Sequence, residues 1–176
     1  MMNKIIFVLF LLSFQLTINA QVKETITQNR ADLIGLKIRK DFIQQPYSQW
    51  FNASYDSYIL DKRTVKKLKK YSNSFEIKVF MSVWCHDSKR EVPHLYKILD
   101  SLSFDIKNLE VIALDRSKKT PKNLQEGYDI VRTPTFIFSK KGKEIGRYVE
   151  HPRETLEKDM LKIVSGKAYK HSYDEN

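Results

Sequence analysis

The apolar run Phe75, Ile77, Val79, Phe80, Met81, Val83 and Trp84 constrains this chain more than any other feature. So dense a run over 75–84 suits a strand buried on both faces, because a half-exposed strand would alternate apolar with polar residues. The pattern then changes at once. Val92, Leu95, Tyr96, Leu99 and Leu102 recur at three and four residues, which predicts an amphipathic helix. A second buried strand is expected over 109–114, a short helical piece over 122–126 and a third strand over 135–138. Lys140-Lys141-Gly142-Lys143 reads as a turn into a fourth strand over 144–149. Leu156, Met160, Leu161 and Val164 predict a closing helix over 154–164, stopped by Gly166 and followed by a polar, loose tail over 167–176. The order strand, helix, strand, helix, hairpin, helix is an α/β sandwich whose central strands sit beside a helix start.

Upstream, residues 22–70 read as helical and polar, with Pro46 as a break. Tyr47, Trp50, Phe51, Tyr55 and Tyr58 fall at i, i+3, i+4, i+8 and i+11, one apolar helix face. That face is expected to pack on the domain that follows; a ligand groove is the alternative. Asp61 is placed to cap a helix running to Tyr71, with Val65 and Leu68 inward and Lys62, Lys66, Lys67, Lys69 and Lys70 outward. No aromatic residues interleave with these lysines as stacking platforms, so the run reads as a solvated face rather than a nucleic-acid site.

The length, 176 residues, suits one domain with an adequate core, and the formal charge is +10. One cysteine, Cys85, excludes an internal disulfide framework, a multi-cysteine metal site and a dithiol centre within one chain. Residues 1–20 read as a secretory signal peptide: Lys4, then an unbroken apolar run from Ile5 to Leu12, then Ala20 before the cut, although Ile18 departs from an A-x-A site. A retained N-terminal membrane anchor is the alternative. The mature chain is expected to begin at Gln21, in the periplasm or secreted. The excess positive charge of an exported protein then concerns envelope lipid, acidic partners or solubility rather than nucleic acid.

Trp84-Cys85-His86-Asp87-Ser88 lies where the first strand meets the first helix of the core. Unpaired amides and the positive end of the helix dipole favour thiolate over thiol at such a position, which makes Cys85 a candidate nucleophile. Ser88, three positions on, is expected to donate a hydrogen bond to the sulfur. A protonated His86 would add stabilising charge that Asp87 partly opposes. Trp-Cys-x-x-Ser at this junction resembles the active-site motif of the thioredoxin superfamily with the second cysteine replaced by Ser88. Glu91 and Pro93 match the C-x-x-C-[RK]-x-E-x-P pattern of exported thioredoxin-like thiol–disulfide reductases, and Tyr128, Thr133-Pro134-Thr135 and Gly142 fall at that family's spacing. The resemblance spans roughly 75–166 and implies a thioredoxin-like fold: a central mixed sheet flanked by helices, here at 73–166 behind an N-terminal helical extension at 21–72. It implies that Pro134 is a cis-proline facing the cysteine, and that Thr133 supplies backbone that pairs with a substrate strand. Trp84 and His86 complete the implied binding surface.

Two departures qualify that resemblance. Without a resolving cysteine, Cys85 can form a mixed disulfide but cannot release it internally, so an external thiol must finish the exchange. The buried acid that many thioredoxins keep six residues before the nucleophile is Val79 here. The leading expectation is therefore an exported monothiol protein that exchanges with protein or low-molecular-weight disulfides, with no cofactor and no metal. The alternative is a non-catalytic thioredoxin-fold module, binding or chaperone-like, in which Cys85 is at most a covalent trap. A disulfide-linked dimer through Cys85 is open to either. The Pro-x-x-x-Thr-x-x-Cys setting of a thiol peroxidase is absent. Ser88 read on its own is equally a helix cap, His86 an exposed bystander, His94 a helix-surface residue, and Arg132 and Asp115 residues of solubility or loop packing.

Overall fold

The computed structural model describes residues 33–174, which belong to one compact unit beginning at Leu33. The expected signal segment at 1–20, the stretch up to 32 and the last two residues lie outside the described residues. The elements are β1 (Gly35–Lys37), α1 (Arg39–Phe42), α2 (Ser48–Ser57), α3 (Lys62–Leu68), β2 (Glu76–Met81), α4 (His86–Leu102), β3 (Leu109–Ala113), β4 (Thr135–Lys140), β5 (Lys143–Val149) and α5 (Leu156–Val164). The strands form one mixed sheet in the order β1-β3-β2-β4-β5. β2 lies at its centre, parallel to β3 and antiparallel to β4, with Val79 opposite Val111 on one side and Phe136 on the other. The expected mixed sheet flanked by helices is the architecture observed.

Alternation along β2 assigns its side chains to two cores. Ile77, Val79 and Met81 join the larger one with Phe51, Val92, Leu95, Leu99, Leu156 and Met160, so helices cover that face. Phe80 points the other way and packs with Ile112, Leu114 and Ile137. Leu124, Tyr128 and Ile130 of the connection between β3 and β4 cover this second, smaller core. The helical piece expected at 122–126 is a series of turns instead. Thr120 and Gln125 hydrogen-bond to each other, the Thr120 hydroxyl accepts from the Leu124 amide, and Asn123 takes φ 50°, so local side-chain bonds displace the helical ladder.

Three further expectations meet corrections. Within 22–70, Gly35–Lys37 is a strand, not helix: Gly35 has φ 88°, and the segment pairs antiparallel with β3, Gly35 opposite Ala113 and Lys37 opposite Val111. Phe42, Phe51 and Leu68 share the main core with β2 and α4, and Tyr47, Trp50, Tyr55 and Tyr58 pack against it, so the aromatic face packs on the domain that follows, as expected. The buried strand expected over 75–84 stops at Met81, where its pairing with β3 ends, and Ser82 to Trp84 turn toward the helix. The described part of the tail, 167–174, is not loose. Arg153 donates to the carbonyls of His171 and Asp174 at 2.9 and 3.1 Å, Tyr169 donates to Asp159 at 3.2 Å and Ser172 to the His151 carbonyl at 2.6 Å. Arg153, Tyr169 and Ser172 together anchor it.

Other details follow from local chemistry. Asp61 caps α3 by accepting from the Arg63 and Thr64 amides, and Lys62, Lys66, Lys67, Lys69 and Lys70 are all exposed. Lys141 and Gly142 both have positive φ in the two-residue β4–β5 turn, the geometry whose twist matches the flanking strands. At Gly146 a Cβ would lie 3.0 Å from Ile163 Cγ2, so the missing side chain lets α5 approach β5. Among the described residues, no helix is long and apolar enough to cross a membrane.

Candidate functional site: a single thiol at a helix N-terminus

Cys85 is the N-cap residue of α4, with extended backbone at φ −83° and ψ 127°. The turn before it closes through a bond from its amide to the Ser82 carbonyl at 3.1 Å, and its own carbonyl accepts from Lys89 as the helix begins. The thiol is half-buried and faces the segment leading into β4, where Sγ donates to the Thr133 carbonyl at 3.0 Å. The Thr133–Pro134 peptide bond is cis, and both residues are buried. The Pro134 carbonyl accepts from Glu150 at 2.8 Å, and the Thr135 hydroxyl donates to the Arg132 carbonyl at 2.8 Å, so this segment is held from two sides. Cys85 precedes the 17-residue α4, and its side chain makes no capping hydrogen bond to the first amides of that helix.

The other residues singled out from the sequence take different places. Ser88 is wholly buried, but its hydroxyl accepts from the Ser82 amide at 3.2 Å. The expected donation to sulfur is replaced by a bond that staples the turn before Cys85 to the first turn of α4, and the thiol proton goes to Thr133. His86 is exposed at the first helical position. Trp84 is half-buried beneath the Arg116 guanidinium, 5.7 Å from its ring, and its indole N–H is buried without a partner among the described residues. Arg132 pairs with Glu150 at 3.2 Å and lies 3.8 Å from the Tyr173 ring, while Asp115 accepts from the Ser117 and Lys119 amides in its own loop.

His94 departs from its expected place on the helix surface. Its ring stacks on Tyr58 with centroids 3.9 Å apart, and Nδ1 lies 3.5 Å from Glu91. Glu91, nearly inaccessible, also holds Arg90 at 2.6 Å. Burial pushes the Glu91 carboxyl up, but the hydrogen bonds from His94 and Arg90 outweigh it and hold the group below its ordinary range. Tyr58 donates to Glu157 at 2.7 Å, and burial together with that carboxylate pushes the phenol well up. Val79 is fully buried core, as its position implies. Among the described residues the buried acids are thus Glu91, Glu157 and Asp159, carried on helices. The i, i+3 spacing of Glu91 and His94 was the available signal for their pairing. Among the described residues, no three His, Cys, Asp or Glu side chains form a group that could hold a metal ion.

A family model described as thioredoxin matches residues 40–164. Thioredoxin H2 of Arabidopsis thaliana is 24% identical over 94 residues, which cover 53% of this chain and 66% of that protein. A thioredoxin-like protein of Acanthamoeba polyphaga mimivirus is 28% identical over 82 residues, covering 47% of this chain and 57% of that protein. The chain thus spans less than two thirds of the length of either curated relative. Among solved structures, a protein of unknown function from Pseudomonas aeruginosa superposes with a TM-score of 0.52 at 15% identity, over 76% of this chain and 84% of that one. An HIV epitope-scaffold superposes over the same shares with a TM-score of 0.51, also at 15% identity. These structures share the fold.

Proposed function

Because the chain belongs to the thioredoxin family, we propose that it carries out thiol–disulfide exchange through Cys85, as an exported monothiol protein whose mixed disulfides are released by an external thiol. The observation that carries this reading is the half-buried Cys85 sulfur at the start of α4, 3.0 Å from the Thr133 carbonyl beside Pro134. The Cys85 thiol loses its proton to solvent, and the thiolate attacks one sulfur of a protein or low-molecular-weight disulfide. A bond forms from Cys85 to that sulfur, the disulfide breaks, and the other half leaves as a thiolate. An external thiolate then attacks the sulfur held by Cys85, carrying it off as a new disulfide and restoring the Cys85 thiol. One disulfide is consumed and one formed, so no cofactor is needed. The substrate displaces the bond between Cys85 and Thr133, and Thr133 and Pro134 form the edge on which it lies, flanked by Trp84 and His86. Ser88 acts through the turn it fixes.

The test is single-turnover exchange with a small aromatic disulfide, read by released thiolate and by intact mass. Wild type is expected to gain one adduct and hold it until thiol is added, and Cys85→Ser to gain none. Ser88→Cys is expected to shed the adduct unaided by closing a bond to Cys85, since positions three apart share a helix face. Adduct formation no faster than with free cysteine, together with no unaided release by Ser88→Cys, would overturn the enzymatic reading. The binding-module reading would then stand in its place; it draws on the Ser88 hydroxyl being engaged by Ser82 rather than by the sulfur. Export rests on the apolar run Ile5 to Leu12 behind Lys4, and N-terminal sequencing of native protein is expected to begin at Gln21. Met1 retained in a membrane fraction would contradict export as a cleaved, soluble protein.

A further inference from the structure

We propose that the C-terminal turn at 171–174 is a strap on the reactive edge, with Tyr173 restricting the approach of an extended peptide to Cys85 while a small reagent reaches the sulfur freely. Its meaning rests on the exchange reading, since it selects among substrates of that same site. The turn is tightly built. The His171 amide donates to the Asp174 carboxylate at 2.9 Å, the Asp174 amide donates to the His171 carbonyl at 3.1 Å, and the Tyr173 amide donates to His171 Nδ1 at 3.2 Å. Arg153 holds the His171 and Asp174 carbonyls and Ser172 donates to the His151 carbonyl, so the turn is fastened to the chain leaving β5. From there the Tyr173 ring stacks on His151 with centroids 5.4 Å apart and lies 3.8 Å from the Arg132 guanidinium, and its hydroxyl donates to Glu150.

Those partners bracket the residues that face the thiol. Arg132 immediately precedes Thr133, whose carbonyl accepts from Sγ, and the Glu150 amide donates to the Pro134 carbonyl at 2.8 Å. The opposite wall is near as well. The Glu150 hydrogen bond chiefly, then burial and the Glu150 and Asp87 charges, push the Tyr173 phenol up against the opposing charge of Arg132. The ring therefore stands within electrostatic reach of Asp87, two residues after Cys85 in the first turn of α4. Backbone chemistry sets the direction that a paired substrate must take. Pro134 has no N–H to offer, and β4, which begins at Thr135, has β2 on one side and β5 on the other, so no edge is free downstream. A segment pairing with Thr133 extends only upstream, along the exposed Val131 and Arg132. It meets the residue that Tyr173 covers after one step of about 3.3 Å. A small disulfide needs the sulfur alone and never reaches that point. Tyr173 is 39% exposed and its turn is held by surface polar contacts, so the strap opens far more readily than the domain unfolds.

The test uses the full-length protein, in which Cys85 is the sole thiol, and compares its alkylation by N-ethylmaleimide with that by an extended neutral peptide bearing a central maleimide. With each rate taken relative to free cysteine, wild type is expected to react more slowly with the peptide than with the small reagent. Tyr173→Ala is expected to speed the peptide reaction roughly tenfold and to leave the N-ethylmaleimide rate within about twofold. Its thermal midpoint is expected to change little, because the side chain lies at the surface. Tyr173→Phe, which keeps the ring against Arg132 and His151, is expected to fall between wild type and Tyr173→Ala. Equal acceleration of both reagents would make Tyr173 a general support of the site and overturns the proposal. So does an unchanged peptide reaction, or a slower one, which would mark Tyr173 as part of the binding surface. The two readings fail separately. Alkylation needs no exchange, so it judges the strap even where the small aromatic disulfide leaves no adduct, and that disulfide reports on Cys85 whatever the strap does.

Discussion

The Ser82 amide lies inside the molecule, and the Ser88 hydroxyl is its acceptor. Ser88→Ala leaves that buried donor unpaired, so it is expected to lower stability by about 1–3 kcal/mol, read as a denaturant midpoint. Because the hydroxyl bonds the turn and not the sulfur, alkylation of Cys85 in the folded variant is expected to proceed at the wild-type rate. A variant as stable as wild type, but slower to alkylate, would place Ser88 in contact with the thiol after all. The sequence shows why this position is hard to read. Three residues after an N-cap, a serine can face either the capping side chain or the backbone before it, and spacing is the same for both. Which one receives it is decided by the Ser82–Cys85 turn, and that turn exists because β2 ends at Met81.

The helices carry acids of opposite pH behaviour. Asp159 on α5 accepts from the Arg153 amide and Tyr169 through one oxygen, while the other oxygen is buried without a partner among the described residues. Burial raises its carboxyl above the ordinary 3.8, outweighing those hydrogen bonds. The folded state therefore holds this proton longer than the unfolded chain does, and the stability so gained below 3.8 is lost as pH rises through the raised value. Glu91 has the reverse sign: its contribution is present above the ordinary 4.5 and lost as pH falls through the lowered value. Asp159→Asn is expected to flatten the loss of stability on raising pH through the mildly acidic range, measured by denaturation at a series of pH values. An unchanged slope would show that Asp159 ionises as freely folded as unfolded. On β5, against the same helix, Gly146→Ala is expected to cost about 1–3 kcal/mol, because a Cβ at 3.0 Å from the packed Ile163 side chain must push α5 from the sheet. A thermal midpoint equal to wild type would show that α5 yields without loss. The apolar spacing of α4 and α5 made both helices legible in the sequence. The buried acids beneath them were not, since a charged residue inside a helix pattern reads as solvent-facing until its partners from other elements are known.

At the scale of the whole molecule, the density of apolar residues in β2, β3 and β4 was enough to reveal the central sheet, because strands buried on both faces leave few polar positions. β1 was illegible for the opposite reason. It is three residues long, with Leu36 59% exposed, and its pairing partner lies far along the chain, so no local pattern distinguishes it from the helical stretch around it. The arrangement has a consequence in time. Gly35 must meet Ala113 across a long intervening chain, whereas β4 and β5 are joined by two residues and β2 reaches β3 through a single helix. So distant a closure, gaining only a three-residue ladder, belongs late in folding and early in opening. Native-state hydrogen exchange is expected to release the amides of Gly35–Lys37 at a lower opening free energy than those of β2; equal protection would put β1 in the first cooperative unit. Until that late arrival, one margin of β3 offers unpaired backbone to any extended segment nearby. The newly made chain thus passes through an interval in which chaperone engagement or strand-to-strand misassembly competes with its own first strand.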